Sequence, residues 1–166
     1  IELMLKTTDV DWDAVVKVST AHYVFPALYC NFKRADFLKY LPADLVDYMI
    51  HITNLNRDRN TQIIQQAQEL NSLLLANNIK PIFLKGTGNL SAGIYDDIAE
   101  RMVGDIDFIF SKDDYSKAIK VWAKQSGFFI DEIDASTILT LLFECRNRDV
   151  NAVSPLNFLL VFWFIV

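Results

Sequence analysis

The stretch that decides the fold is Pro81–Phe110, PIFLKGTGNLSAGIYDDIAERMVGDIDFIF. A short apolar run, Ile82 to Leu84, leads into Lys85-Gly86-Thr87-Gly88. A helix is expected next, then Arg101, then Gly104-Asp105-Ile106-Asp107 opening a second apolar run to Phe110. The order reads as strand, glycine turn, helix, strand. Residues two apart on a strand share a face. If 105–110 is a strand, Asp105 and Asp107 therefore lie side by side, with Ile106 and Phe108 on the other face. Two adjacent carboxylates resist joint ionisation unless a cation lies between them. A hard divalent ion such as Mg²⁺ (or Mn²⁺), held by one or two carboxylates and substrate phosphates, suits that pair. A solvated strand start is the plainer reading of a bare D-x-D.

The turn supplies the complement. Glycine permits positive φ and close backbone approach, and the N–H groups opening a helix attract phosphate. The Thr87 hydroxyl can cap that helix or bind a phosphate oxygen. Lys85 reads as a phosphate contact or as a surface lysine beside a turn, and Arg101 carries the same choice, arginine offering a bidentate fork. Tyr95 could stack on a base, but packing under the helix is the favoured reading. The stretch is not a P-loop, because G-x-x-x-x-G-K-S/T is absent. Nor is it a dinucleotide fingerprint, because position 91 is Ser91 and not glycine.

These residues resemble the core of the DNA polymerase beta-like nucleotidyltransferase superfamily, in which a strand leads into a glycine-containing helical turn and the next strand carries D-x-D. The chain is more closely similar to a family of uncharacterised bacterial nucleotidyltransferases that read LKG, a tyrosine, R and DID. Leu84-Lys85-Gly86, Tyr95, Arg101 and Asp105-Ile106-Asp107 match, as do Leu41-Pro42 and Arg59-Asn60 upstream. The resemblance covers roughly residues 10 to 130. The superfamily turn is usually Gly-Ser or Gly-Gly, and here it is Gly86-Thr87.

The resemblance implies an Mg-dependent nucleotidyltransferase that moves a nucleoside monophosphate from a nucleoside triphosphate to an acceptor hydroxyl on RNA, protein or a small molecule. Asp105 and Asp107 would be the catalytic metal ligands, and Lys85, Gly86, Thr87 and Arg101 the nucleotide-binding residues. The superfamily takes a third carboxylate from a later strand, and Glu144, after the run Leu139 to Phe143, is the best candidate here. The alternative is a catalytically incomplete relative that binds nucleotide or a protein partner.

The expected fold class is α+β. A small mixed β-sheet with strands near 82–84, 106–110 and 128–130 forms the nucleotidyltransferase core, and an N-terminal helical layer includes one long helix. The 166 residues fit a single domain, with helices over 1–78, the core over 79–150 and an apolar tail over 151–166. Apolar residues make up 52% and charged residues 22%, which excludes a disordered chain. A net charge of −5 argues against binding nucleic acid through a broad basic face. The two cysteines, Cys30 and Cys145, have no metal-site spacing and point to a reduced, cytoplasmic setting. No secretory leader is read at the start, and the missing initiator Met suggests a processed or edited start.

Thr8 or Asp9 is read as the cap of a first helix carrying Trp12, Val15 and Val16, and Pro26 as the opening of a second. Leu45, Met49, Ile52, Leu55, Ile63, Ala67, Leu70 and Leu74 recur at helical spacing, so one long helix is expected from about Pro42 to about Asn77. Its polar run, Asn54 to Gln62, reads as a solvated face, with Arg57 or Arg59 turned to phosphate as the functional alternative. Ser111 fits the N-cap of a last helix. The tail ends in nine unbroken apolar residues, Phe158 to Val166. They are too few to span a bilayer. They read as a buried strand, a short hydrophobic helix or a truncated end, and if exposed they would favour self-association.

Overall fold

The computed structural model describes residues 1–125. The expected third strand at 128–130, Glu144, Cys145 and the tail lie outside the described residues. The chain forms α1 (Glu2–Thr7), α2 (Trp12–Ala21), α3 (Phe25–Arg34), α4 (Ala43–Ala76), β1 (Ile82–Phe83), α5 (Lys85–Ser91), β2 (Phe108–Ile109) and α6 (Tyr115–Gln125). Short 3₁₀ turns occupy Leu38–Tyr40, Ile98–Glu100 and Lys112–Asp114. Two compact units result, one of residues 1–62 and 89–103, the other of residues 63–88 and the chain from 104.

In the first unit α2 is capped by Asp11, whose carboxylate accepts the Ala14 N–H at 2.9 Å, so the cap lies two to three residues later than Thr8 or Asp9. Pro26 sits in the first turn of α3, where its missing N–H costs nothing. Phe25, Tyr29, Cys30, Leu41 and Met49 are buried together, with Trp12, Val16, Phe32 and Leu45 packed around them. Burial first, and then the negative charges of Asp97 and Glu100, push the Cys30 thiol up to about 11, so it stays a neutral core side chain.

The long helix runs very nearly where its periodicity placed it. It stops because Asn78 takes a left-handed φ of 58°. The Ile79 N–H then donates to the Leu74 carbonyl at 2.9 Å and the Asn78 N–H to that of Leu75 at 3.0 Å, a Schellman closure. Ile79 and Leu74 then bury their side chains together. The buried positions of α4 are Met49, Thr53, Asn56, Asn60, Ile63, Ala67 and Leu74. Their spacing is an unbroken alternation of four and three up to Ala67, and Thr53, Asn56 and Asn60 make its middle polar. Leu55, expected on that stripe, is exposed instead.

In the second unit β1 and β2 pair antiparallel, Ile82 opposite Ile109 and Phe83 opposite Phe108. The described sheet is thus antiparallel where the sequence suggested a mixed one. A parallel partner would need the intervening helix to carry the chain back to the start of β1. Instead the chain returns beside the end of β1, where the Leu84 N–H donates to the Asp107 carbonyl at 2.9 Å. The Phe108 ring packs tilted against Phe83 and Phe110, with centroids 5.9 and 6.0 Å away. Leu74, Ile79 and Ala118 form the core beneath, with Leu70 and Val121. Ser111 accepts the Asp113 N–H and caps the 3₁₀ turn Lys112–Asp114, one turn ahead of α6 rather than at its start.

Gly88 shows why this turn needs glycine. A Cβ there would stand 2.6 Å from the carbonyl oxygen of Phe83 and 3.0 Å from its carbon, both backbone atoms that cannot move aside. Alanine would gain up to about 1 kcal/mol of helix propensity, and the collision should cost about 1–3 kcal/mol. Gly88→Ala is therefore expected to lower the thermal midpoint. Gly104→Ala, where a Cβ meets nothing within 4 Å, should leave it within the shift of about 0.5 kcal/mol of a neutral surface change. Thermal unfolding of the two variants side by side checks this.

Candidate functional site

The second unit gathers Lys85, Thr87, Asp105 and Asp107. β1 ends at Phe83, Leu84 continues its ladder by one bond, and α5 begins at once with Lys85. That residue holds a left-handed φ of 49°, a conformation costly for any side chain but glycine. The Nζ of Lys85 lies 3.0 Å from Oδ1 of Asp107. The two ends of this ion pair differ in exposure, the lysine side chain at 58% and the carboxylate at 8%. One turn on, the Thr87 hydroxyl donates to the backbone carbonyl of Asp105 at 2.9 Å. The carbonyls of Asp105 and Asp107 are thus both pinned, by Thr87 and by Leu84, so both carboxylates leave a fixed backbone.

Two expectations change. β2 begins only at Phe108, and the chain bends at Asp105. Strict alternation therefore does not run through 105–107, and Ile106 and Asp107 are both buried. The carboxylates stand on a pinned segment that leads into the strand, not on one strand face. Gly86 is buried, and Thr87 is fully buried with its hydroxyl spent on Asp105. The Thr87 hydroxyl thus holds the carboxylate segment, and Lys85 presents the exposed cation of the turn.

Arg101 belongs to the first unit, where its side chain is exposed. Its backbone is held by residues that periodicity counting missed. Asn56 Nδ2 donates to the carbonyls of Ala99 at 2.8 Å and Arg101 at 3.1 Å. Asn60 Nδ2 donates to those of Ile98 and, at 2.7 Å, Arg101. Asn60 is fully buried, and its own Oδ1 has no partner among the described residues. An orphaned buried acceptor costs about 1–3 kcal/mol, so the amide is retained for the two carbonyls it holds. The signal was in the sequence: 53, 56 and 60 continue the four-three spacing of Met49 and Ile63 with polar residues.

Arg57 completes this clamp. Its Nη2 and Nε reach Oδ2 and Oδ1 of Asp97 at 2.7 and 3.1 Å, a bidentate fork. The run from Asn54 to Gln62 is thus not wholly solvated, and Arg57 spends its fork on Asp97. Arg59 is exposed on the surface. His22 and His51 are exposed as well. The Arg57 fork, against the opposing effect of burial and helped by the Ala99 N–H, holds the Asp97 carboxyl below its ordinary value. The sign follows from linkage. A depressed folded value contributes stability that is present above the unfolded value of about 3.9 and lost as pH falls through the folded one. Asp97→Asn is expected to lower the thermal midpoint at neutral pH and to flatten its fall below about pH 4. Parallel acid limbs in wild type and variant would contradict the assignment.

Among the described residues no group of three or more His, Cys, Asp or Glu side chains is placed to hold a metal ion. No helix among them is long and apolar enough to cross a membrane. No curated protein and no solved structure matches the chain. A family model described as uncharacterised nucleotidyltransferase matches residues 8–132, well over half of the 166. That span contains the Lys85 turn, the asparagine clamp and both pinned carboxylates, and the chain belongs to this family of uncharacterised nucleotidyltransferases.

Proposed function

We propose that the protein transfers a nucleoside monophosphate from a nucleoside triphosphate to an acceptor hydroxyl, with Mg²⁺ (or Mn²⁺) held by Asp105 and Asp107, as a bacterial, cytoplasmic member of the DNA polymerase beta-like superfamily. The observation that carries this reading is the pair of carboxylates on a backbone fixed by Thr87 and Leu84, with the Lys85 ammonium already drawn to one of them. The donor set fits the ion. Both ligands are hard oxygens, and Mg²⁺ takes one or two protein carboxylates and fills its shell with substrate phosphate and water.

When bound, the ion would neutralise phosphate charge as a Lewis acid. The protein's part is mostly positioning and electrostatics. Asp105 and Asp107 would hold the ion. Lys85 offsets charge that develops on the phosphate oxygens, and Arg101, four residues before Asp105 in the chain, is a second cation of the type that reads phosphate. Gly86 and Thr87, with the backbone N–H groups that open α5, form the nucleotide-binding side of the turn, while the Thr87 hydroxyl also holds the Asp105 carbonyl. The acceptor oxygen forms a bond to the α-phosphorus, the bond from that phosphorus to the bridging oxygen breaks, and pyrophosphate leaves. The hydroxyl proton passes to a base, for which Glu144 remains the sequence candidate.

The second reading is a nucleotide-binding or protein-interaction module without turnover.

The two readings separate in one experiment. Each α-phosphate-labelled nucleoside triphosphate is incubated with the protein, Mg²⁺ and pools of RNA, protein and small-molecule hydroxyls. Label transfer with pyrophosphate release is expected, reduced by about 100-fold or more in Asp107→Asn, the scale of losing one preorganised electrostatic contact. Transfer that Asp107→Asn leaves intact would contradict the site. Nucleotide binding without transfer to any pool would favour the module.

A further inference from the structure

We infer that Lys85 is an exchangeable counter-ion: its ammonium neutralises Asp107 while the site holds no divalent ion, and gives way to that ion on loading, moving onto the substrate's phosphates. The inference rests on the metal reading above and concerns how the site passes between its empty and loaded states.

Three observations combine. First, the Asp107 carboxylate is buried, its backbone carbonyl tied to the Leu84 N–H at 2.9 Å. A buried charge must be met by an opposite one, and this one cannot travel to find it. Second, its partner lies at the surface. The Lys85 side chain is 58% exposed, on a flexible stem with a compact, well-hydrated charge that makes no fixed fork. Third, position 85 holds a lysine in a conformation that favours glycine, with φ at 49°. Strain of this kind persists only where the surroundings enforce it, and it gathers at switching and ligand-clamping residues. Glycine would relieve the backbone and lose the ammonium, so what the strain retains is the side chain. Two cations that need the same carboxylate oxygens compete, and the weaker-held one is displaced next to where a triphosphate would bring new negative charge.

The test uses the manganese(II) ion alone as probe, titrated into the whole chain without nucleotide and followed by its paramagnetic resonance signal. The proteins are wild type, Lys85→Met and Lys85→Gly. Lys85→Gly removes the ammonium while relaxing the backbone, so a folding defect in Lys85→Met does not end the experiment. Without metal, both variants are expected to melt below wild type, and saturating manganese should narrow the gap. Both should bind the ion more tightly than wild type, on the order of tenfold, within the usual span of coupling between two ligands. Both should bind a nucleoside triphosphate more weakly in the ion's presence. A lysine that only stabilises the fold would leave ion affinity unchanged, so equal or weaker ion binding in both variants overturns the inference and leaves the metal site standing. A wild type that binds no manganese, with or without nucleotide, overturns the metal reading and this inference together.

Discussion

A carboxylate taken out of water has to be met by positive charge, and the Asp107 segment is built around that requirement. Asp107 lies where the ladder of β1 and β2 begins, its backbone carbonyl bonded to Leu84 and its side chain to Lys85. Three features of the turn follow from this place. Leu84 must finish the ladder, Lys85 must reach back to the charge, and Thr87 must hold the carbonyl of Asp105. Gly88 then lets α5 start against Phe83 with no side chain between them. The short spacing from Leu84 to Gly88 is thus set by backbone geometry as much as by chemistry.

The long helix applies a related constraint in the first unit. Its buried stripe is apolar at Met49 and again from Ile63, but polar at Thr53, Asn56 and Asn60. The polar part faces chain that contributes carbonyls rather than side chains, those of Ile98, Ala99 and Arg101. Irregular backbone cannot satisfy its own carbonyls, and once buried they need donors. Asparagine amides at four-residue spacing supply them, and Arg57 anchors the same segment through Asp97.

Much of this was legible in the residues. The ends of α4 could be read because Pro42 and Asn78 have backbone preferences that act locally. The paired carboxylates and the lysine turn could be read because their chemistry is unusual at that spacing. What could not be read depended on contacts that only the folded backbone creates. The glycine requirement at 88 comes from the carbonyl of Phe83, and the burial of Thr87 comes from Asp105, 18 residues on. Counting apolar positions passed over Asn56 and Asn60 and admitted Leu55, because periodicity weighs hydrophobicity and not what the opposing chain needs. The bend at Asp105 defeated strand alternation for a similar reason, since the ladder begins only at Phe108.

The measurement that bears most directly on the account is calorimetric titration of ATP, CTP, GTP and UTP, each with and without Mg²⁺, into wild type and the Asp105→Asn/Asp107→Asn double variant. Binding of at least one nucleotide that needs the metal and disappears in the folded variant is the expected result. Binding that survives the loss of both carboxylates, or that ignores the metal, would contradict the assignment of Asp105 and Asp107 as the centre of the site.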